Sequence, residues 1–136
     1  MPTTAVSAER VQAAYAALGN GDRTTIEEFW APDMTWQVAG GTRVSGLHIG
    51  LDDFLEFVRT MGELTGGSLK ADLDHILVSD DTAVILSHNT ATRADDPSRT
   101  LDIDEAQYLR WSGGRIVEGR GAMFGTGTEE FERFLA

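Results

Sequence analysis

The sequence predicts an α+β protein in which helices gather on one face of an antiparallel sheet. Two patterns carry that expectation. Before residue 65, apolar side chains recur at helical spacing, most clearly Leu51, Phe54, Leu55, Val58, Met61 and Leu64. From Leu69 to Phe124 they alternate with polar ones instead, in runs cut by Ser79-Asp80-Asp81, by Ala94-Asp95-Asp96-Pro97-Ser98 and by Ser112-Gly113-Gly114. That is the pattern of successive antiparallel strands.

Taken in order, Ser7 caps a first helix that buries Val11, Ala14, Tyr15 and Leu18, places Glu9 near its positive end and stops at Gly19-Asn20-Gly21. Thr24-Thr25-Ile26-Glu27-Glu28 offers a capping box for a short second helix that carries Ile26, Phe29 and Trp30 and ends before Pro32. Met34 to Val38 alternates as a strand, Ala39-Gly40-Gly41 breaks it, and Arg43 to His48 provides a return strand. A third helix begins after Gly50 with Asp52 and Asp53 in its first turn, and Gly66-Gly67 ends it. Leu69 to Val78 reads as a half-exposed strand leading into a three-stranded meander: Ala83 to Thr92, Ile103 to Trp111, and Arg115 to Phe124. Thr128 opens a terminal helix with Phe131, Phe134 and Leu135 on one side.

Composition narrows the function. At 136 residues and 41% hydrophobic, the chain is expected to form one domain over residues 1–136 with its own core. The net charge of -11, with Lys70 the only lysine and the arginines scattered, argues against nucleic acid and anionic membranes as partners. No cysteine is present, so disulfides, thiolate nucleophiles and thiolate metal sites are excluded. Met1 to Ala8 has no signal-peptide pattern, and no apolar run approaches the ~20 residues of a membrane span. A cytoplasmic protein is the expectation.

Residues equally distant from a hairpin turn share a face of the sheet. A turn centred near Pro97 pairs His88 with Gln107, Thr90 with Glu105 and Leu86 with Leu109; a turn centred on Gly113 adds Val117, Gly119 and Gly121 to the same face. The opposite face then holds Ser87, Asn89, Ala91, Tyr108, Ile116 and Arg120. Two mid-strand glycines mark a place where something approaches the backbone closely. Beside the polar trio they outline a pocket roofed by the third helix.

Four stretches, VQAAYAALGNGD, APDMTWQVAGG, SGLHIGLDDFLEF and QYLRWSGGRIVEGR, together resemble the SnoaL-like polyketide cyclase branch of the nuclear transport factor 2-like superfamily, which also contains ketosteroid isomerase. The resemblance runs from about Val11 to Phe124. It implies a cystatin-like cone, with a curved sheet wrapped around helices, an apolar pocket in the concavity and commonly a dimer through the outer sheet face. Residue by residue, the isomerase's strand base matches Val38, and its protonated aspartic acid matches Gln107. The isomerase's helix tyrosine falls one residue from Tyr15. The cyclases' acid/base aspartate, near the Gln107 position, is missing as well.

The acid/base candidates that remain are Glu105, His88 and Gln107. A Glu/His pair with Gln107 as hydrogen-bond donor suits proton abstraction beside a carbonyl or activation of a water. The alternative is a rim glutamate paired with Arg99 or Arg120 and a histidine bonded within the sheet. Tyr15, Trp36, Val38, Phe54 and Met61, with Gly119 and Gly121, are the expected pocket wall. His75 and His48 lack the ~three converging ligands of a metal site. The acidic pairs lack a calcium loop's glycine and terminal glutamate, and the glycines from Gly119 to Gly127 lack dinucleotide spacing and a lysine. No cofactor and no metal are therefore expected.

Three readings follow: an isomerase- or cyclase-type enzyme acting on an apolar carbonyl compound, a pocket protein that binds a small apolar ligand without turnover, and an interaction module. A homodimer through the outer face would use Ala91, Tyr108, Ile116 and Arg120.

Overall fold

The computed structural model describes residues 5–136. Its order is α1 (Ala8–Asn20), α2 (Arg23–Glu27), β1 (Trp30–Val38), β2 (Gly46–Ile49), α3 (Leu51–Leu64), β3 (Lys70–Ser79), β4 (Thr82–Thr92), β5 (Thr100–Ser112), β6 (Arg115–Met123) and α4 (Gly127–Leu135). The six strands form one curved, unclosed sheet in the order β2-β1-β6-β5-β4-β3. Every neighbouring pair is antiparallel except β1 and β6, which run parallel. The class is α+β, as the sequence predicts.

Local chemistry accounts for most element ends. The Ser7 side chain accepts from the Arg10 N–H at 3.1 Å and starts α1. α2 is a single turn capped by Asp22, which accepts from the Thr25 N–H at 2.9 Å, in place of the expected capping box. Trp30 opens β1 instead of closing α2. Pro32, which has no N–H to give a ladder, falls where the β1–β6 register shifts between Trp30 and Thr35.

The core lies between the helices and the concave face. Trp30, Met34, Leu51, Phe54, Ile85, Leu109 and Ile116 are fully buried. Phe54 of α3 stacks on Trp36 and Trp30, with ring centroids 4.9 and 5.0 Å away, and the Trp30 indole N–H donates to Ala14 O of α1 at 2.9 Å. Thus one aromatic cluster ties β1 to both long helices. At the other end α4 buries Phe131, Phe134 and Leu135. Its last carbonyls accept from arginines: Arg93 to Phe134 O at 3.0 Å and Arg43 to Leu135 O at 3.3 Å. These cations also complement the negative end of the helix.

The registers correct two expectations. In the β4–β5 hairpin His88 faces Asp104, not Gln107, and Glu105 faces Ser87, not Thr90. The displacement is three residues, and an odd displacement turns one strand over relative to its neighbour. Ser87, Asn89 and Ala91 therefore join Glu105 and Gln107 on the concave face, and His88 moves to the outer face. Ile116 pairs with Trp111 across a bulge and is fully buried inside. Of the four residues assigned to a dimer interface, only Tyr108 and Arg120 lie outside, the guanidinium 4.8 Å from the Tyr108 ring centroid. Ala91 and Ile116 belong to the core.

The edge strand β3 is exposed along most of its length, and its register shifts between Leu73 and His75. His75 consequently faces outward beside Leu86. Among the described residues no helix is long and apolar enough to cross a membrane.

Candidate active site

A cavity of about 220 Å³ opens between α1, α3 and the concave face of β1, β4 and β5. Tyr15, Trp36, Val38, Phe54 and Met61 line it, as do Glu105 and Gln107. Gln37 and Asn89 add two further amides, the rest of the wall is aromatic or aliphatic, and Phe131 of α4 reaches it from the far end.

Glu105 is the acid of this cavity. Its Oε1 accepts from the Asn89 amide and from the Gln107 amide, each at 2.8 Å. The Gln107 carbonyl in turn accepts the Tyr15 hydroxyl proton. A hydrogen-bonded chain thus runs from α1 across β5 to β4. Among the described residues no cation pairs with Glu105, and no donor reaches its Oε2. Burial holds the Glu105 carboxyl above the usual carboxylate range, against the lowering effect of its two amide donors. Burial, with the charge of Glu105 beside it, keeps the Tyr15 phenol far above its ordinary range, so Tyr15 is a neutral donor.

The two mid-strand glycines line up beneath this chemistry. A Cβ on Gly121 would lie 2.4 Å from Glu105 Oε2, and one on Gly119 would lie 2.2 Å from the Trp36 ring. Each glycine leaves the space its neighbour's side chain fills. Both stand under the cavity wall rather than contacting its interior.

His88 does not meet Glu105. On the outer face its Nδ1 lies 2.8 Å from Asp104 Oδ1 and its Nε2 lies 3.0 Å from Asp102 Oδ1. The candidate pair of Glu105 and His88 is therefore corrected: the hairpin register separates them onto opposite faces. Gln107 also differs from expectation. One of its amide hydrogens is held by Glu105 and its carbonyl by Tyr15, so its first role is to join those two. His48 is held within the protein, by Val44 O at 2.7 Å and Asp53 Oδ1 at 3.2 Å, against the Phe57 ring.

Asn89 is the site residue that sequence reasoning missed. The register of the hairpin was the signal that would have found it. Chemically, the arrangement provides one half-buried carboxyl with a free oxygen, a neutral phenol and the two amides bonded to the carboxyl, within a mostly apolar enclosure. That set can take, hold and return a proton. No group of three or more His, Cys, Asp or Glu placed to hold a metal ion occurs among the described residues.

Comparison with known proteins gives the same frame. An uncharacterized protein of Mycobacterium tuberculosis is 27% identical over 107 residues, which cover 79% of this chain and 80% of the relative. Among solved structures, Bal32a, from a soil-derived mobile gene cassette, is 30% identical, with a TM-score of 0.84 over 95% of each chain. IdmH from Streptomyces antibioticus, assigned as a polyketide cyclase, is 18% identical, with a TM-score of 0.70 over 90% of this chain and 96% of its own. The family model described as SnoaL-like domain matches residues 11–119. With that match across most of its length, the chain belongs to the SnoaL-like domain family.

Proposed function

We propose that the protein is a small-molecule enzyme of isomerase or cyclase type that moves a proton beside the carbonyl of an apolar compound, with Glu105 as the base. The observation that carries this reading is the half-buried Glu105 carboxyl in the cavity wall, anchored at Oε1 and unpaired at Oε2. A base raised toward neutral pH combines a useful ionised fraction with proton affinity. The remaining Gln107 N–H is the donor suited to steady a developing oxyanion, with Tyr15 holding the Gln107 carbonyl in place. The cyclase assignment of IdmH favours the same chemistry.

Cavity size bounds the substrate. An apolar cavity of about 150 Å³ takes up benzene, so 220 Å³ suits a ligand portion of one or two rings. The test is deuterium exchange at the carbon beside the carbonyl, followed by NMR, across a panel of one- and two-ring ketones. Wild type should exchange at least one member, and Glu105→Gln should lose about 10²–10⁴ of that rate. Equal exchange by the variant would remove Glu105 as the base.

The second reading is binding without turnover. It is favoured by Gln107, which is tied at both ends and which the resemblance matches to the isomerase's protonated aspartic acid. A ketone that binds and never exchanges would select it.

A homodimer through the outer face is proposed with Tyr108 and Arg120 in the interface, alongside Leu47, Ile49 and Leu77, apolar side chains that are more than half exposed. Light scattering at micromolar concentration should give twice the chain mass; a monomer rejects it.

A further inference from the structure

The same cavity has an electrostatic imbalance that a carbonyl substrate leaves in place. Glu105 and Tyr15 are the only titratable side chains among its lining residues, and neither is a cation. β4 and β5 present to Glu105 only neutral groups: the amides of Asn89 and Gln107 and, directly opposite in the register, the Ser87 hydroxyl. A half-buried carboxylate with no positive partner is partly stripped of water, and a cation brought to it offsets that cost. The chain's net charge of -11 attracts cations and repels anions.

The geometry around the free oxygen suits such a charge. Oε2 stands over Gly121 and the Trp36 ring stands over Gly119. These are alternate positions of β6 on one face, roughly 6.6 Å apart at about 3.3 Å per residue. An ammonium nitrogen hydrogen-bonded to Oε2 would lie within the ~6 Å of an aromatic ring at which a cation is attracted to it. Trp36, Phe54 and Phe57 continue as a joined aromatic wall, with ring centroids 4.9 and 6.2 Å apart, that can take the apolar remainder.

The geometry points to a ligand class for this cavity beyond carbonyl compounds: apolar primary amines of one or two rings, bound as ammonium ions with the nitrogen on Glu105 Oε2 and the ring against Trp36 and Phe54. The inference shares the cavity with the proposed function but does not require turnover. Carboxylate and phosphate ligands are rejected by the same charge. Binding needs Glu105 ionised and the amine protonated. Affinity therefore falls as pH drops through the raised Glu105 range and falls again above the amine's own pKa.

The test compares 2-phenylethylamine with 2-phenylethanol, which have nearly the same shape and differ in charge, by calorimetric titration at pH 8. Wild type should bind the amine at least about tenfold more tightly than the alcohol. Glu105→Gln keeps the amide contacts and most of the chain's negative charge, and should bind the two alike. Equal binding by wild type overturns the inference, as does failure of the amine to bind at millimolar concentration. An amine preference that survives in Glu105→Gln also overturns it, because it then comes from the general charge of the chain. Exchange of ketones is read separately: its loss would sink the enzyme reading and leave the amine preference standing.

Discussion

The carboxylate of Glu105 fills the space that a side chain at position 121 would need, since a Cβ on Gly121 would lie 2.4 Å from Oε2. Gly121→Ala therefore forces the carboxylate to move. Because Oε2 is the far end of a flexible side chain, the stability cost should stay below about 1 kcal/mol. The site should suffer more: a base displaced by about 1 Å can lose on the order of 10² in rate. Ketone exchange and urea denaturation of the same sample check the pair of effects; wild-type exchange would show that the carboxylate's position is unimportant.

Gly119→Ala should behave in the opposite way. Its Cβ would meet the Trp36 ring at 2.2 Å, and that ring is 7% exposed and packed between Trp30 and Phe54. A locked indole cannot turn aside, so overpacking should cost about 1–3 kcal/mol. A lower urea midpoint at unchanged slope is the expected result.

What the sequence could reveal was whatever local periodicity records. The stripe from Leu51 to Leu64 gave α3, and the alternation after Leu69 gave the meander. The glycines at 119 and 121 pointed to a close approach that proved to be Trp36 and Glu105. The β4–β5 register was hidden because its loop is set from a distance. Arg93 N–H donates to Arg99 O at 2.9 Å, while the Arg93 guanidinium reaches Asp95 and the end of α4. Nothing near Pro97 reports a contact with residue 134. A displacement of three residues then exchanged Asn89 for His88 in the pocket. The parallel pairing of β1 with β6 was equally out of reach, since it joins residues some eighty positions apart.

Neutralising Glu105 should stabilise the fold, with a defined dependence on pH. Burial raises the folded-state pKa above that of the unfolded chain. The native state then holds its proton over a pH range in which the unfolded state has released it. Wild-type stability is thus lost as pH climbs from the ordinary glutamate range through the raised one, and the loss is constant beyond it. Glu105→Gln removes this titration and keeps a carbonyl oxygen for the Asn89 and Gln107 donors. Its advantage should be near zero at pH 4 and reach on the order of 0.5–2 kcal/mol at pH 8. Thermal unfolding of both proteins from pH 4 to 8 measures it; a difference that does not change with pH would refute the cause given.

His88 should show the reverse titration on the outer face. Its two ring nitrogens lie 2.8 and 3.0 Å from carboxylate oxygens of Asp104 and Asp102. Both nitrogens can donate only in the imidazolium form. The hydrogen bond to Asp104, then the charges of Asp102, Asp104 and Asp74, raise its pKa. The stabilisation is complete below the ordinary histidine range and is lost as pH rises through the raised value. His88→Gln should therefore lower the melting temperature at pH 6 and leave it unchanged at pH 9. The pair sites are exposed to solvent, so 0.5 M salt should shrink the effect at pH 6. An equal drop at both pH values would mean that His88 acts by packing, and the two carboxylates would then need another account.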